Sequence, residues 1–164
     1  MCTAPIRRQR PGNLGRVPRS RSPRNTLPDG VYHVTARGAG GIAVFLADID
    51  RIEFMDLLAA AMRMFRLVCH AYCLMGTHYH LVIEGARSDL SRAMHWLNGA
   101  YARRFNRRHA RRGHLFAERF SAYLVQSDRH FEAACRYVIE NPVRAGLCPS
   151  VGDWLWSGPP SAGA

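Results

Sequence analysis

Apolar residues along this chain change their spacing several times, and each change predicts an element. After the Asp29-Gly30 turn signal, Val31-Tyr32-His33-Val34-Thr35-Ala36 alternates with period two and predicts a strand. Gly38, Gly40 and Gly41 predict a loop, with a short strand over Ile42-Ala43-Val44-Phe45 behind it. From Asp48 to about Phe65 the period becomes helical. Ile49, Ile52, Phe54, Leu57, Leu58, Ala61 and Met64 form the apolar stripe, with Asp50, Arg51, Glu53 and Asp56 outside it. Leu67 to Leu74 reads as a buried strand. Met75-Gly76-Thr77 then turns the chain into another, His78 to Ile83, and so short a link makes the two antiparallel neighbours.

A second helix is predicted from Asp89 to His109, burying Leu90, Met94, Leu97, Tyr101 and Phe105. Arg119 to Val125 fits a further strand. Ser127 or Asp128 is the expected N-cap of a third helix, Arg129 to Glu140, whose core face carries Phe131, Ala134, Cys135 and Val138. Asn141-Pro142 marks its end, because a residue before proline is driven out of the α region. Val143 to Leu147 adds a turn of helix. Trp154-Leu155-Trp156 is expected to latch onto the core, and the tail 158–164 to fray.

Composition divides the chain further. Its 164 residues suit a single domain over 29–157. Residues 1–28 hold seven arginines, five prolines and no acidic residue. That stretch buries too little apolar surface to offset its ordering entropy, so it reads as a flexible basic arm. The formal charge is +11, and all 23 basic residues are arginine. Arginine binds phosphate oxygens two at a time, so a polyanionic partner is indicated, nucleic acid before an anionic membrane. The five cysteines form no CxxC pair and no zinc or disulfide framework, which suits a reducing cytoplasm. No run approaches membrane-spanning length, and no signal peptide is expected. A soluble cytoplasmic protein is expected, associated with the nucleoid when bound to DNA.

Two stretches carry candidate chemistry. His78 and His80 are two apart in a strand, so both imidazoles leave the same sheet face and can share a divalent ion. Alone, such a pair more often means one packed and one exposed histidine than a metal site. Tyr137 and Asn141 are four apart on the third helix and share one of its faces. If that helix covers the histidine strand, Asn141 completes a three-ligand site suited to Mg²⁺ or Mn²⁺, with the Tyr137 phenol beside it. Otherwise Tyr137 is a packing residue and Asn141 ends the helix. Arg103, Arg104, Arg107, Arg108, Arg111 and Arg112 crowd the end of the second helix beyond what its dipole needs. They are candidate DNA contacts, as are Arg119 and Arg144.

The His78-Tyr79-His80 strand followed by Tyr137, Asn141-Pro142-Val143-Arg144-Ala145-Gly146-Leu147 resembles the single-tyrosine HUH transposases, in particular the REP-associated tyrosine transposases of bacteria. The resemblance spans most of residues 31–157. It includes Tyr32-His33-Val34, Arg37-Gly38, Val44-Phe45-Leu46, Gly113-His114-Leu115-Phe116, Arg119-Phe120 and Asp153-Trp154-Leu155-Trp156-Ser157. Gly76-Thr77 stands where the family often has Pro-Asn. The resemblance implies an α+β fold, a ferredoxin-like antiparallel sheet with helices packed on one face. It implies metal-dependent cleavage and rejoining of single-stranded or hairpin DNA, with Tyr137 as nucleophile and His78, His80 and Asn141 as ligands. It implies action as a monomer, although related transposases form homodimers. Water in place of Tyr137 would make the chain a phosphodiesterase, and a degenerate site would leave a binder of structured nucleic acid.

Overall fold

The computed structural model describes residues 28–159. Three strands carry the candidate chemistry or support it: β1 (Gly30–Arg37), β2 (Val68–Leu74) and β3 (His78–Gly85). They join β4 (Ser121–Leu124) and β5 (Ser157–Gly158) in one sheet of order β4-β1-β3-β2-β5, every neighbouring pair antiparallel. Between strands run α1 (Asp48–Phe65) and α2 (Arg87–Arg108), then α3 (Asp128–Ile139) and the short α4 (Asn141–Arg144). This is an α+β fold whose four main strands follow the ferredoxin-like order β4-β1-β3-β2.

Side-chain alternation sorts the two faces. Tyr32, Val34 and Ala36 of β1 join Tyr79, Leu81 and Ile83 of β3 in one core, against Phe54, Leu57 and Ala61 of α1 and Leu90, Met94 and Leu97 of α2. Their β1 neighbours His33, Thr35 and Arg37 face the other way, with His78, His80 and Val82. On that second face Ala71, Cys73, Met75 and Val82 pack against Ala134 and Val138 of α3. Helices packed on one face therefore describe α1 and α2 but not α3. The third helix lies across the opposite face because its apolar stripe answers the apolar even-numbered end of β3.

Several boundaries differ from the sequence expectation. Ile42–Phe45 is loop, although Val44 and Phe45 are buried; their amides both bond the Gly76 carbonyl instead of a neighbouring strand. Asp50, expected in solvent, is wholly buried, whereas Ile49, Ile52 and Met64 of the supposed stripe are exposed. The Asp50 carboxylate accepts from the amides of Leu46 and Ala47, from Arg108 and from His109, tying the start of α1 to the end of α2. Its four donors are what makes a buried carboxylate tolerable there. Burial alone would raise the Asp50 pKa, but those hydrogen bonds outweigh it and hold the group below its ordinary value.

The C-terminal latch is made by the two tryptophans alone. Trp154 donates to the Leu74 carbonyl, Trp156 packs on the main core, and both rings flank the Arg51 guanidinium, while Leu155 points outward. Gly158, expected in a frayed tail, instead closes β5 opposite Tyr72. The proposed arm falls outside the described residues except for Pro28, and so does the tail from residue 160.

Candidate active site

The residue between the two histidines fixes them in place. Tyr79 points into the main core, wholly buried, lies tilted against Phe54 and donates to Asn98 Oδ1. With Tyr79 anchored, period-two geometry sends His78 and His80 out of the other face. The turn before them is held from outside: the amide of Gly38 bonds the Thr77 carbonyl, and Met75 bonds the His78 carbonyl. Gly38 cannot be larger, since a Cβ there would sit 2.1 Å from the Ile42 carbonyl oxygen.

Both imidazoles are oriented by a bond at Nδ1. His78 Nδ1 is 3.0 Å from Thr77 Oγ1, and His80 Nδ1 is 3.0 Å from His33 Nε2. The ring centroids of His78 and His80 are 5.0 Å apart, those of His33 and His80 5.2 Å. Burial, followed by the charges of His33, His78 and Arg37, pushes His80 down to about 3. Burial and then Arg37 lower His78, and burial and then His130 lower His33. All three rings are therefore neutral at neutral pH, the state in which an imidazole nitrogen can bind a metal.

The third helix brings Tyr137 to the same place. Ser127 caps its N-terminus by accepting from His130, and buried Val138 seats it on the sheet. Tyr137, one residue earlier, is 42% exposed, with its ring 6.0 Å from that of His80 and 5.8 Å from that of His33. Arg144 lies 5.4 Å above the Tyr137 ring and pairs with Glu140 at 2.9 Å. Asn141 opens α4 rather than ending the helix: its carbonyl accepts from Ala145, and the following proline occupies an early position whose amide has no helical partner.

A match to the family model described as "Transposase IS200 like" covers residues 29–141. The chain belongs to the IS200-like transposase family. The structure of a REP-associated tyrosine transposase bound to a REP hairpin shares the fold, at 17% identity and a TM-score of 0.67, over 84% of this chain and 81% of that one. A candidate transposase of Deinococcus radiodurans R1 is 20% identical over 74% of this chain and 96% of its own, with a TM-score of 0.48. Among curated protein sequences none matches significantly.

Within this transposase-family chain the predicted residues do not all converge. His78, His80 and Tyr137 share one sheet face, and the short connection from Tyr137 through Glu140 carries Asn141. Arg103, Arg104, Arg107 and Arg108 ride on α2, which packs on the opposite face. Arg104 and Arg108 are moreover engaged by Glu53 at 3.3 and 2.8 Å, and Arg108 by Asp50 at 2.9 Å. Arg103 and Arg119 line a groove between α2 and the 113–120 loop, away from the histidines. Arg111 stacks against Phe105, and Arg112 is exposed. Of the eight predicted contacts only Arg144 stands beside Tyr137.

Sequence reading missed His33 and Arg37. Both lie on the histidine face of β1, and the register sets Arg37 directly across from His78. Counting in twos from His33 sets both on one face of β1, but only the β1–β3 pairing makes that face the histidines' own.

The residues present fit a divalent ion. Each imidazole of the pair has its Nδ1 occupied, which leaves Nε2 as the donor; Nδ1 then carries the hydrogen, given by His78 to Thr77 Oγ1 and by His80 to His33 Nε2. Among the described residues no group of three His, Cys, Asp or Glu is placed to hold a metal, so a third protein donor has to be of another type. The Asn141 amide is of that type through its Oδ1; its Nδ2, a hydrogen donor, is buried without a partner and could not itself bind a metal.

Proposed function

We propose that this chain is a DNA strand transferase of the single-tyrosine HUH type, acting on single-stranded DNA beside hairpins, as the REP-associated group does. The observation carrying this reading is the 6.0 Å approach of the Tyr137 ring to His80, on the face of the sheet that also bears His78. A packing tyrosine would be buried, whereas Tyr137 is 42% exposed and open to a DNA strand.

Tyr137 Oη attacks the scissile phosphorus in line with the bond to the 3′ oxygen. The O–P bond forms, the P–O3′ bond breaks, the phenolic proton passes to solvent and the departing 3′ oxygen takes one up. The product is a 5′-phosphotyrosine and a free 3′-hydroxyl. Attack by another 3′-hydroxyl reverses the step and joins strands, conserving the phosphodiester bond energy without a nucleotide. A phenol ionises only near pH 10 in water, so the step depends on charge stabilisation at the phosphate. A divalent ion such as Mg²⁺ or Mn²⁺, when held by His78, His80 and Asn141, supplies that stabilisation. His33 and Thr77 fix the imidazole tautomers, and α3 holds the phenol against the pair. Because nucleophile and histidines come from one chain, a monomer is sufficient.

The test is covalent capture. A labelled pool of single-stranded DNA hairpins with randomised flanks is incubated with Mn²⁺ and run on a denaturing gel. The wild-type protein is expected to shift with its DNA, and Tyr137→Phe to give neither adduct nor cleavage. Cleavage that survives Tyr137→Phe would mean that water attacks. Binding without cleavage in the wild type would make the chain a binder of structured nucleic acid.

A further inference from the structure

Arg37 is hard to explain as a structural residue. It ends β1, is exposed, and makes no side-chain hydrogen bond or ion pair among the described residues. The register pairs it with His78, and alternation puts its side chain on the face of His33, His78 and His80. Its charge reaches both histidines of the pair, and no carboxylate is among the groups that act on them.

A permanent cation beside two metal ligands is unfavourable by itself. It repels the divalent ion those ligands would hold, at short range and next to partly buried groups where screening is weak. The arrangement becomes favourable when an anion lies between the two positive charges. The reading of the site as a phosphoryl-transfer centre supplies that anion, and this inference rests on that reading. Arginine suits the role better than lysine would, since its planar fork can take two phosphate oxygens at once.

We propose that Arg37 is a catalytic residue that binds a non-bridging oxygen of the scissile phosphate, reaching it from β1 on the same sheet face that α3 packs against. Arg37 and Tyr137 then hold the phosphate between them: Tyr137 Oη forms its bond to phosphorus, the P–O3′ bond breaks, and the guanidinium pairs with the charge on the equatorial oxygens. Gly38 keeps the end of β1 where this is possible, because its amide is bonded to the Thr77 carbonyl in the turn that presents His78.

The two charges make opposite demands, which gives the test its edge. Arg37→Ala and Arg37→Lys are compared with the wild type in two assays. One is the single-turnover rate of adduct formation with a hairpin oligonucleotide that the wild type captures, at saturating DNA and Mn²⁺. The other is Mn²⁺ binding to the DNA-free protein, followed by the electron paramagnetic resonance of the unbound ion. Arg37→Ala is expected to slow adduct formation about a hundredfold, the usual loss for one charge-stabilising donor. It should bind Mn²⁺ at least as tightly as the wild type, and Arg37→Lys should recover part of the rate. An adduct rate within threefold of wild type overturns the proposal. So does a Mn²⁺ affinity that falls in step with the rate, which would assign Arg37 to the integrity of the histidine site. If the wild type itself forms no adduct, the phosphotyrosine reading fails and takes this inference with it; if only Arg37→Ala behaves as wild type, this inference fails alone.

Discussion

His33 Nε2 lies 3.0 Å from His80 Nδ1, and the same imidazole presents its edge to Tyr137 at 5.8 Å between ring centroids. One residue of β1 thus touches both a ligand candidate on β3 and the nucleophile candidate on α3. A hydrogen bond at Nδ1 decides which nitrogen of His80 keeps its lone pair for a metal.

His33→Ala should therefore weaken Mn²⁺ binding to the DNA-free protein about tenfold or more, the usual cost of losing a partner behind a ligating histidine. His33→Asn, whose amide oxygen can accept the Nδ1 hydrogen, should lose less. Calorimetric titration of Mn²⁺ reads both. Equal affinities in all three proteins would show that the contact packs the site without orienting it.

The three lowered histidines also set a pH dependence. His33, His78 and His80 ionise below their ordinary value in the fold, His80 at about 3, whereas the unfolded chain takes up protons near pH 6.5. Below that pH the unfolded state binds more protons than the folded one, so stability is full above it and falls as the pH drops toward 3. Urea denaturation of the metal-free protein between pH 7.5 and 4.5 should show the midpoint decline. His80→Asn, which cannot take up that proton, should flatten the slope. An unchanged slope would place the protonation elsewhere.

Period and turn chemistry made most of this legible beforehand. Spacing bounds the helix Asp48–Phe65, and of the two candidate caps, Ser127 and Asp128, Ser127 is the one that serves. The His78-Tyr79-His80 alternation sends Tyr79 inward and the histidines outward, as the observed strand does. What spacing cannot convey is how elements meet in three dimensions. Asp50 lies buried because the end of α2, dozens of residues away, brings Arg108 and His109 to it. His33 joins the site through a strand pairing that no local pattern encodes. Ile49 and Ile52 fall on the helical stripe, yet both are exposed.

Asp50 yields a prediction independent of catalysis. Replacing it by alanine strands two helix-terminal amides, one guanidinium and one imidazole that it now serves. Breaking a buried charged partnership of this kind costs about 3 kcal/mol. Asp50→Asn keeps an acceptor oxygen and should cost less. Chemical denaturation measures both, and a loss under about 1 kcal/mol for alanine, the level of an exposed pair, would mean water replaces the carboxylate.

The arginines at and just past the end of α2 separate by what already holds them. Arg104 and Arg108 are paired with Glu53 and Asp50, so a phosphate would have to displace a carboxylate to reach them. Arg107 and Arg112 are exposed and form no ion pair among the described residues. Each phosphate contact releases counterions, so it appears as a slope of log affinity against log salt. If this helix end meets DNA, Arg107→Ala and Arg112→Ala should each reduce that slope by about 0.7 to 0.9. Arg104→Ala should leave the slope unchanged and lower stability instead. Hairpin binding by fluorescence anisotropy across a salt series separates the two groups. Should neither Arg107→Ala nor Arg112→Ala change the slope, the DNA keeps to the histidine face, and the positive charge of α2 serves the α1–α2 clamp rather than the substrate.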